Sequence, residues 1–284
     1  MELIKTRQEL DDRRSQLRKE NKSVGFVPTM GALHQGHLSL VEAAGKHCDV
    51  VVVSIFVNPT QFNDPGDLER YPRDLEKDMQ LLENTPCELL FAPSVKEVYP
   101  ESDTRTFDFG QLDRVMEGKH RPGHFNGVAQ VVSRLFEMVG PHKAFFGQKD
   151  FQQLAIIREM VRQMNFGTEI VACSIIREPD GLAMSSRNTL LTKKHRKSAP
   201  LIAKTLSESC NFVPSKSVAD TKAFVLKHIE QDENLIPEYF EIVNGDTLQS
   251  VDSWEESPYI VGCIAVFAGN VRLIDNIIYK NCAK

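Results

Sequence analysis

Apolar residues recur every three to four positions over residues 3–18, a period that predicts an amphipathic helix near the start of the chain. A short apolar run follows at 24–27. A longer, valine-rich run occupies 49–57, and its continuity predicts a strand buried on both faces of a parallel sheet. Asn58 and Pro59 end that run abruptly. Helical spacing returns over 68–82, with Leu75, Met79 and Leu82 on one side, and Leu89, Leu90 and Phe91 make a short strand stopped by Pro93. A loop-rich stretch over 94–124 contains a short strand at 106–109. Helices at 128–139 and 150–164 alternate with strands at 143–146 and 169–176. This alternation predicts an α/β unit whose parallel sheet is wound on both faces.

The pattern changes after residue 175. A polar loop at 177–188 leads into helices at 193–208 and 218–231, then strands at 239–243, 259–267 and 271–274. Ala268-Gly269-Asn270 between the last two has the composition of a tight turn. The expected organisation is a larger domain over 1–175 and a smaller α+β domain over 176–284, without internal repeats or low-complexity segments.

Composition narrows the function classes. A chain of 284 residues with 41% hydrophobic and 26% charged residues reads as an ordinary globular protein. Its net charge of −5 argues against a general nucleic-acid binder. No apolar window reaches the roughly 18 residues of a membrane span, and no secretory h-region opens the chain. The six cysteines form no Cys-x-x-Cys pair, so free thiols and a reducing cytoplasm are expected.

Candidate chemistry is densest at Pro28-Thr29-Met30-Gly31-Ala32-Leu33-His34-Gln35-Gly36-His37, between the strand at 24–27 and a helix over 38–44. A helix start turns backbone N–H groups and a positive dipole end outward, which suits a phosphate. The i,i+3 spacing puts both imidazoles on one face of the first turn. On residue type alone, a zinc half-site or a pair of capping histidines remains open, although further zinc ligands at recognisable spacing are lacking.

Three other constellations join it. Phe146-Gly147-Gln148-Lys149-Asp150 lies where a strand meets a helix, the edge at which open parallel sheets bind ligands. There Lys149 suits phosphate and Asp150 suits ribose hydroxyls, while no Walker A sequence occurs. Gly181-Leu182-Ala183-Met184-Ser185-Ser186-Arg187-Asn188 marks the domain boundary, and its hydroxyls and guanidinium suit a triphosphate. Asn58-Pro59-Thr60-Gln61-Phe62 and Gln153 offer neutral amides for hydroxyls and a carboxylate. Asp74 and Asp78, one helical turn apart, suit either a solvated face or magnesium.

Taken in order, these segments resemble the pantoate–β-alanine ligase family over nearly the whole chain. Tyr71-Pro72-Arg73 and Arg121-Pro122-Gly123-His124-Phe125 add to the match. His34-Gln35-Gly36-His37 fits the wider nucleotidyltransferase pattern His-x-Gly-His, and Met184-Ser185-Ser186-Arg187 looks like a diverged Lys-Met-Ser-Lys-Ser signature. The resemblance implies a doubly wound, Rossmann-like sheet with a small C-terminal α+β lid. It also implies ATP-dependent condensation of pantoate with β-alanine through an enzyme-bound pantoyl adenylate.

By the same resemblance, His37, His34, Lys149 and Arg187 are the catalytic candidates. Met30, Gly31, His34, His37, Gly147, Lys149, Asp150, Ile176, Met184, Ser185, Ser186 and Arg187 would bind ATP. Gln61 and Gln153 would hold pantoate, with Gln61 also near β-alanine, beside an apolar wall of Val131, Val132 and Phe146. Magnesium would lie near Asp78, although relatives commonly carry an acidic residue where this chain has Lys77. A homodimer through the larger domain is implied, without nucleic-acid or membrane partners. The alternatives are another nucleotidyltransferase such as a phosphopantetheine adenylyltransferase, a fragment of a class I aminoacyl-tRNA synthetase, or a silent nucleotide-binding protein that kept the fold.

Overall fold

The computed structural model describes residues 1–62 and 65–282. Among these the strands are β1 (Glu2–Ile4), β2 (Val24–Thr29), β3 (Val50–Ile55), β4 (Cys87–Phe91), β5 (Lys143–Gly147), β6 (Glu169–Cys173), β7 (Leu235–Asn244), β8 (Tyr259–Ala268) and β9 (Val271–Asn281). The helices of the first half are α1 (Arg7–Lys19), α2 (Gln35–His47), α3 (Pro65–Arg70), α4 (Leu75–Leu82), α5 (Val95–Val98), α6 (Met116–His120), α7 (His124–Val139) and α8 (Phe151–Gln163). Those of the second are α9 (Lys193–Ser198), α10 (Pro200–Ser209) and α11 (Val218–Glu230).

The first six strands form one parallel sheet in the order β1-β4-β3-β2-β5-β6. The chain winds outward from β2 through β3 to β4, then restarts on the other side at β5 and β6. This is the expected Rossmann-like double winding, and its switch point falls between β2 and β5. Ligands bind at such a point, beyond the carboxyl ends of the strands. The loop carrying His34 and His37 leaves the carboxyl end of β2, and Gly147 closes β5. Four consecutive valines, all buried, make β3 a central strand. Val27, Val51, Val53, Leu90 and Phe145 pack with Leu40 and Val41 of α2 on one sheet face.

The small sheet is antiparallel in the order β7-β8-β9. Gly269, at φ +63°, makes the turn from β8 to β9, as its composition predicts. Ile202 and Leu206 of α10 and Val225 and Ile229 of α11 pack with Phe240, Ile242, Ile264 and Trp254 into a second core. By backbone contacts, one unit comprises Met1–Phe109, Arg121–Gln148 and Gln153–Ser174. The other comprises Gly110–His120, Lys149–Gln152 and Ile175–Lys284, so two short segments group with the C-terminal residues.

Several elements differ from the sequence expectation. The first helix gives up its start to β1, because Thr6 caps α1 in a capping box with Glu9 and buried Ile4 pairs with Phe91. The helix expected over 68–82 is two helices, α3 and α4. Pro72 lies between them, and Asp74 caps α4 by accepting the Lys77 N–H at 3.0 Å. No strand forms at 106–109; instead Asn126 accepts the Phe107 N–H at 2.9 Å. Pro200 begins α10 and so divides the helix expected over 193–208. The last three strands are longer than expected. Among the described residues no helix is long and apolar enough to cross a membrane, and all six cysteines are free thiols.

Candidate active site

The strand-to-helix loop after β2 is built on two consecutive residues with positive φ, Gly31 at +79° and Ala32 at +50°. A glycine tolerates this region, whereas an alanine there stores about 1 kcal/mol or more of strain. Thr29 starts the turn, donating to the Ser54 carbonyl at 2.7 Å and accepting the Gly31 N–H at 3.2 Å. Asp78 completes it from α4: its two carboxylate oxygens accept the N–H groups of Ala32 at 2.9 Å and Leu33 at 2.7 Å.

His34 is the N-cap of α2, and its Nδ1 accepts the Gly36 N–H at 3.1 Å. His37, at the third helical position, accepts the His34 N–H on its own Nδ1 at 3.3 Å. The two histidines thus form a capping box, with ring centroids 4.1 Å apart. They occupy one face of the first turn, as their spacing predicts. Two helix-start N–H groups expected to face an anion are instead spent on imidazole nitrogens. With Nδ1 accepting on each ring, the neutral imidazole carries its hydrogen on Nε2. In that tautomer each ring carries an Nε2–H donor, a chemistry suited to phosphate oxygens.

Magnesium fits Asp78 poorly. The residue is 2% exposed, each of its oxygens already accepts a backbone N–H, and burial raises its pKa against the opposing effect of those two bonds. Among the described residues no group of three or more His, Cys, Asp or Glu side chains could hold a metal ion, so the zinc reading of the histidine pair gains no further ligands there. Asp78 is a brace for the histidine loop, a role its sequence neighbours do not reveal because its partners lie in a distant segment.

The amide of Gln61 sits on a one-turn 3-10 helix, Pro59–Gln61, capped by Asn58. Its Nε2 donates to the Met30 sulfur at 2.8 Å, and its Oε1 accepts from Asn58 Nδ2 at 3.3 Å. Its backbone carbonyl is bonded to the ring of buried His124 at 2.9 Å. Gly127 of α7 lets this turn approach, since a Cβ there would stand 2.5 Å from the Thr60 carbonyl oxygen. Val131 and Val132 of α7 and Phe146 of β5 are buried in the same unit.

Gly147, Lys149, Asp150 and Gln153 follow one another across the end of β5 and the start of α8. A Cβ on Gly147 would meet open space, so close backbone approach is available there. The Lys149 carbonyl accepts from Asn276 at 3.0 Å. Gln152, between the candidate residues, is structural. Its amide donates to the carbonyls of Leu112 at 2.7 Å and Val115 at 2.9 Å and accepts the Glu117 N–H at 2.9 Å.

The serine–arginine segment belongs to the C-terminal unit. The Met184 N–H donates to the Ile176 carbonyl at 3.0 Å, and Arg177 pairs with Ala183 across a β-bridge, so the loop doubles back as a narrow hairpin. Arg177 grips buried Asp275 through two bonds, at 2.6 and 3.0 Å. Arg196 grips Glu178 and Asp180, both at 2.5 Å, and its bond to Asp180 holds that carboxyl below the usual range. Ser185 caps the 3-10 helix Ser186–Leu190 by accepting the Arg187 N–H at 3.3 Å. The hairpin bracing was not legible in sequence, because Arg177 and Asp275 lie far apart along the chain.

Known proteins extend these observations. The family model described as pantoate-β-alanine ligase matches residues 2–278. A pantothenate synthetase of Phocaeicola vulgatus is 58% identical over 281 residues, covering 99% of this chain and 100% of that protein. One from Bacteroides thetaiotaomicron is 57% identical over 99% of each chain. Among solved structures, a pantothenate synthetase from Thermus thermophilus superposes with a TM-score of 0.92 at 43% identity, over 99% of this chain and 100% of that one. A pantoate-β-alanine ligase from Francisella tularensis, complexed with β,γ ATP and β-alanine, has a TM-score of 0.82 at 34% identity, over 98% of both chains.

Proposed function

This chain belongs to the pantoate–β-alanine ligase family, and from that premise we propose how its residues divide the work. The reaction is the ATP-dependent joining of pantoate to β-alanine, the activity of the family. A carboxylate is a poor electrophile, so its oxygen is first made a leaving group. A pantoate carboxylate oxygen attacks the α-phosphorus of ATP in line, and the bond to pyrophosphate breaks. The β-alanine nitrogen then attacks the acyl carbon of pantoyl adenylate and loses a proton, and AMP departs with the electrons of the C–O bond. Neither step needs a protein nucleophile; both need positioning and charge neutralisation.

The observation that supports the assignment is the histidine pair, whose Nδ1 atoms accept backbone N–H groups at the start of α2, so that Nε2–H is the donor of each neutral ring. His34 and His37 bind phosphate oxygens, and His37 stabilises the charge that develops as pyrophosphate leaves. Lys149, Ser185, Ser186, Arg187 and Met184 complete the phosphate contacts. The backbone at Met30, Gly31, Gly147 and Ile176, with Asp150, holds the nucleoside. Gln61 and Gln153 hold pantoate against Val131, Val132 and Phe146. The family resemblance supports a lid role for the segment bearing Arg187, whose task is to keep water from the adenylate.

Magnesium entering with ATP would supply further neutralisation of the phosphate charge while keeping several of its own waters; Asp78 serves the loop. We extend the reading to a cytoplasmic homodimer formed through the larger unit. The family resemblance supports the dimer, and the free cysteines suit a reducing compartment. Light scattering of the purified protein tests the dimer.

An assay omitting each substrate in turn tests the reaction: AMP formation is expected to require ATP, pantoate and β-alanine together. Pyrophosphate release with neither acid present would instead favour another nucleotidyltransferase, and ATP binding without turnover a silent relative.

A further inference from the structure

Asn58 is 1% exposed, and every polar atom of its side chain is engaged. Its Oδ1 accepts from the Thr60 N–H at 3.4 Å, the Thr60 hydroxyl at 3.2 Å and the Tyr99 hydroxyl at 3.0 Å. Its Nδ2 donates to the Gly127 carbonyl at 3.2 Å and to Gln61 Oε1 at 3.3 Å. A backbone N–H can only donate and a carbonyl can only accept, so Thr60 and Gly127 fix which end of the Asn58 amide is which. Gln61 must then offer its oxygen to Asn58 and turn its NH2 group the other way, where it meets the Met30 sulfur at 2.8 Å. A thioether is a weak acceptor. A carboxylate or hydroxyl oxygen arriving at that amide would replace it with a stronger bond.

Tyr99 is itself held in place. Its ring lies 6.2 Å from that of Phe56, and the Arg134 guanidinium stands 5.2 Å from its centroid. Arg134 in turn donates to Asp103 at 2.6 Å. Burial pushes the Tyr99 phenol above its usual range, so it stays a protonated donor at neutral pH. We propose that Tyr99 is a positioning residue for pantoate: its hydroxyl, bonded to Asn58 Oδ1, holds in place the amide whose ends Thr60 and Gly127 fix, and so keeps the Gln61 NH2 group turned toward the substrate's oxygens. This rests on the reading of Gln61 as a pantoate ligand. Tyr99 needs no contact with substrate for the effect, because the chain of donors runs Tyr99 to Asn58 to Gln61 in one direction.

The test is steady-state kinetics of the full-length enzyme with pantoate varied, for Tyr99→Phe, Gln61→Ala and the double variant. Removing one hydrogen bond to a buried acceptor predicts a rise of about fivefold in the pantoate KM for Tyr99→Phe, with kcat and the ATP KM within about twofold of wild type. In the Gln61→Ala background, Tyr99→Phe should cause no further rise. Asn58→Asp, which presents acceptors to both Gln61 and Gly127, should raise the pantoate KM about tenfold or more. It also gives a readout if Tyr99→Phe fails to accumulate. An unchanged pantoate KM in Gln61→Ala would overturn the underlying assignment of Gln61. A raised KM in Gln61→Ala with an unchanged one in Tyr99→Phe or Asn58→Asp would overturn the relay alone, as would independent, multiplying effects in the double variant.

Discussion

At the start of α2 each imidazole accepts a backbone N–H on Nδ1, which makes Nε2–H the donor of the neutral ring. On the proposed assignment His37→Ala removes a phosphate donor, and it also removes one capping contact. Adenylation, measured as pantoate-dependent pyrophosphate release, should fall about 10²-fold or more while the thermal midpoint changes little. Wild-type turnover in that variant would remove His37 from the chemistry. Asp78 makes a different prediction. Asp78→Ala strands the part-buried N–H of Ala32 and the buried N–H of Leu33, so it should cost about 2 to 4 kcal/mol of stability by chemical denaturation. The magnesium concentration needed for half-maximal activity should stay the same in the surviving folded fraction. A large rise would return Asp78 to the metal. The histidines were legible because capping and spacing act within one helical turn. The role of Asp78 was not, since acidic residues on a helix also read as a solvated face or a magnesium site.

Between elements, the decisive contact is the approach of α7 to the turn that bears Gln61. Gly127 permits it, and a methyl group at that position would press on Thr60 and stand 3.1 Å from the Gln61 Cα. Gly127→Ala should displace the turn and raise the pantoate KM about tenfold, with a smaller effect on the ATP KM; equal rises in both would argue against a local displacement. The irregular segment before α6 is tied to α7 as well. Gln130 donates to the carbonyls of Asp103 at 3.1 Å and Arg105 at 2.7 Å, and Arg134 pairs with Asp103. Arg105, aided by Arg134, holds the Asp103 carboxyl far below the usual aspartate range. A lowered pKa means that its contribution is present above the ordinary value, near about 4, and is lost as pH falls toward the lowered one. Asp103→Asn should therefore flatten the decline of the thermal midpoint between about pH 4 and about pH 2. An unchanged acid limb would show that the pair contributes little. Helical and strand periods made most elements legible. The strand at Glu2–Ile4 and the break at Pro72 were missed, because a short strand shows too few residues to display a period and a proline can also be read as a kink.

For the whole molecule, each unit has its own core and its own polar fastening. In the C-terminal unit, Arg272 donates to Glu117 at 2.7 Å and to Glu238 at 2.5 Å, and the Tyr239 hydroxyl donates to Glu117 at 2.8 Å. These bonds join α6 to the small sheet within that unit. The two carboxylates outweigh the burial that opposes the Arg272 charge and keep it firmly protonated. Arg272→Met would leave Glu117 buried without its cation, at a cost of about 3 kcal/mol. Amide exchange in β7–β9 should then accelerate, while exchange in β2 and β3 stays slow; uniform acceleration would mean that the two units do not respond separately.

The sequence by itself determined the alternation of strands and helices, the change of character near residue 175, the order of the motifs and, through their resemblance, the family and its chemistry. Those properties are written in neighbouring residues, where hydrophobic period, capping and turn preference operate. Only the tertiary structure decided that β2 and β5 adjoin at the switch point, and that Asp78 braces the histidine loop. It also decided the direction in which the Gln61 amide points. Each of these depends on a hydrogen bond or strand pairing between segments far apart in the chain, and local periodicity carries no information about which distant groups the fold will bring within about 3 Å of each other.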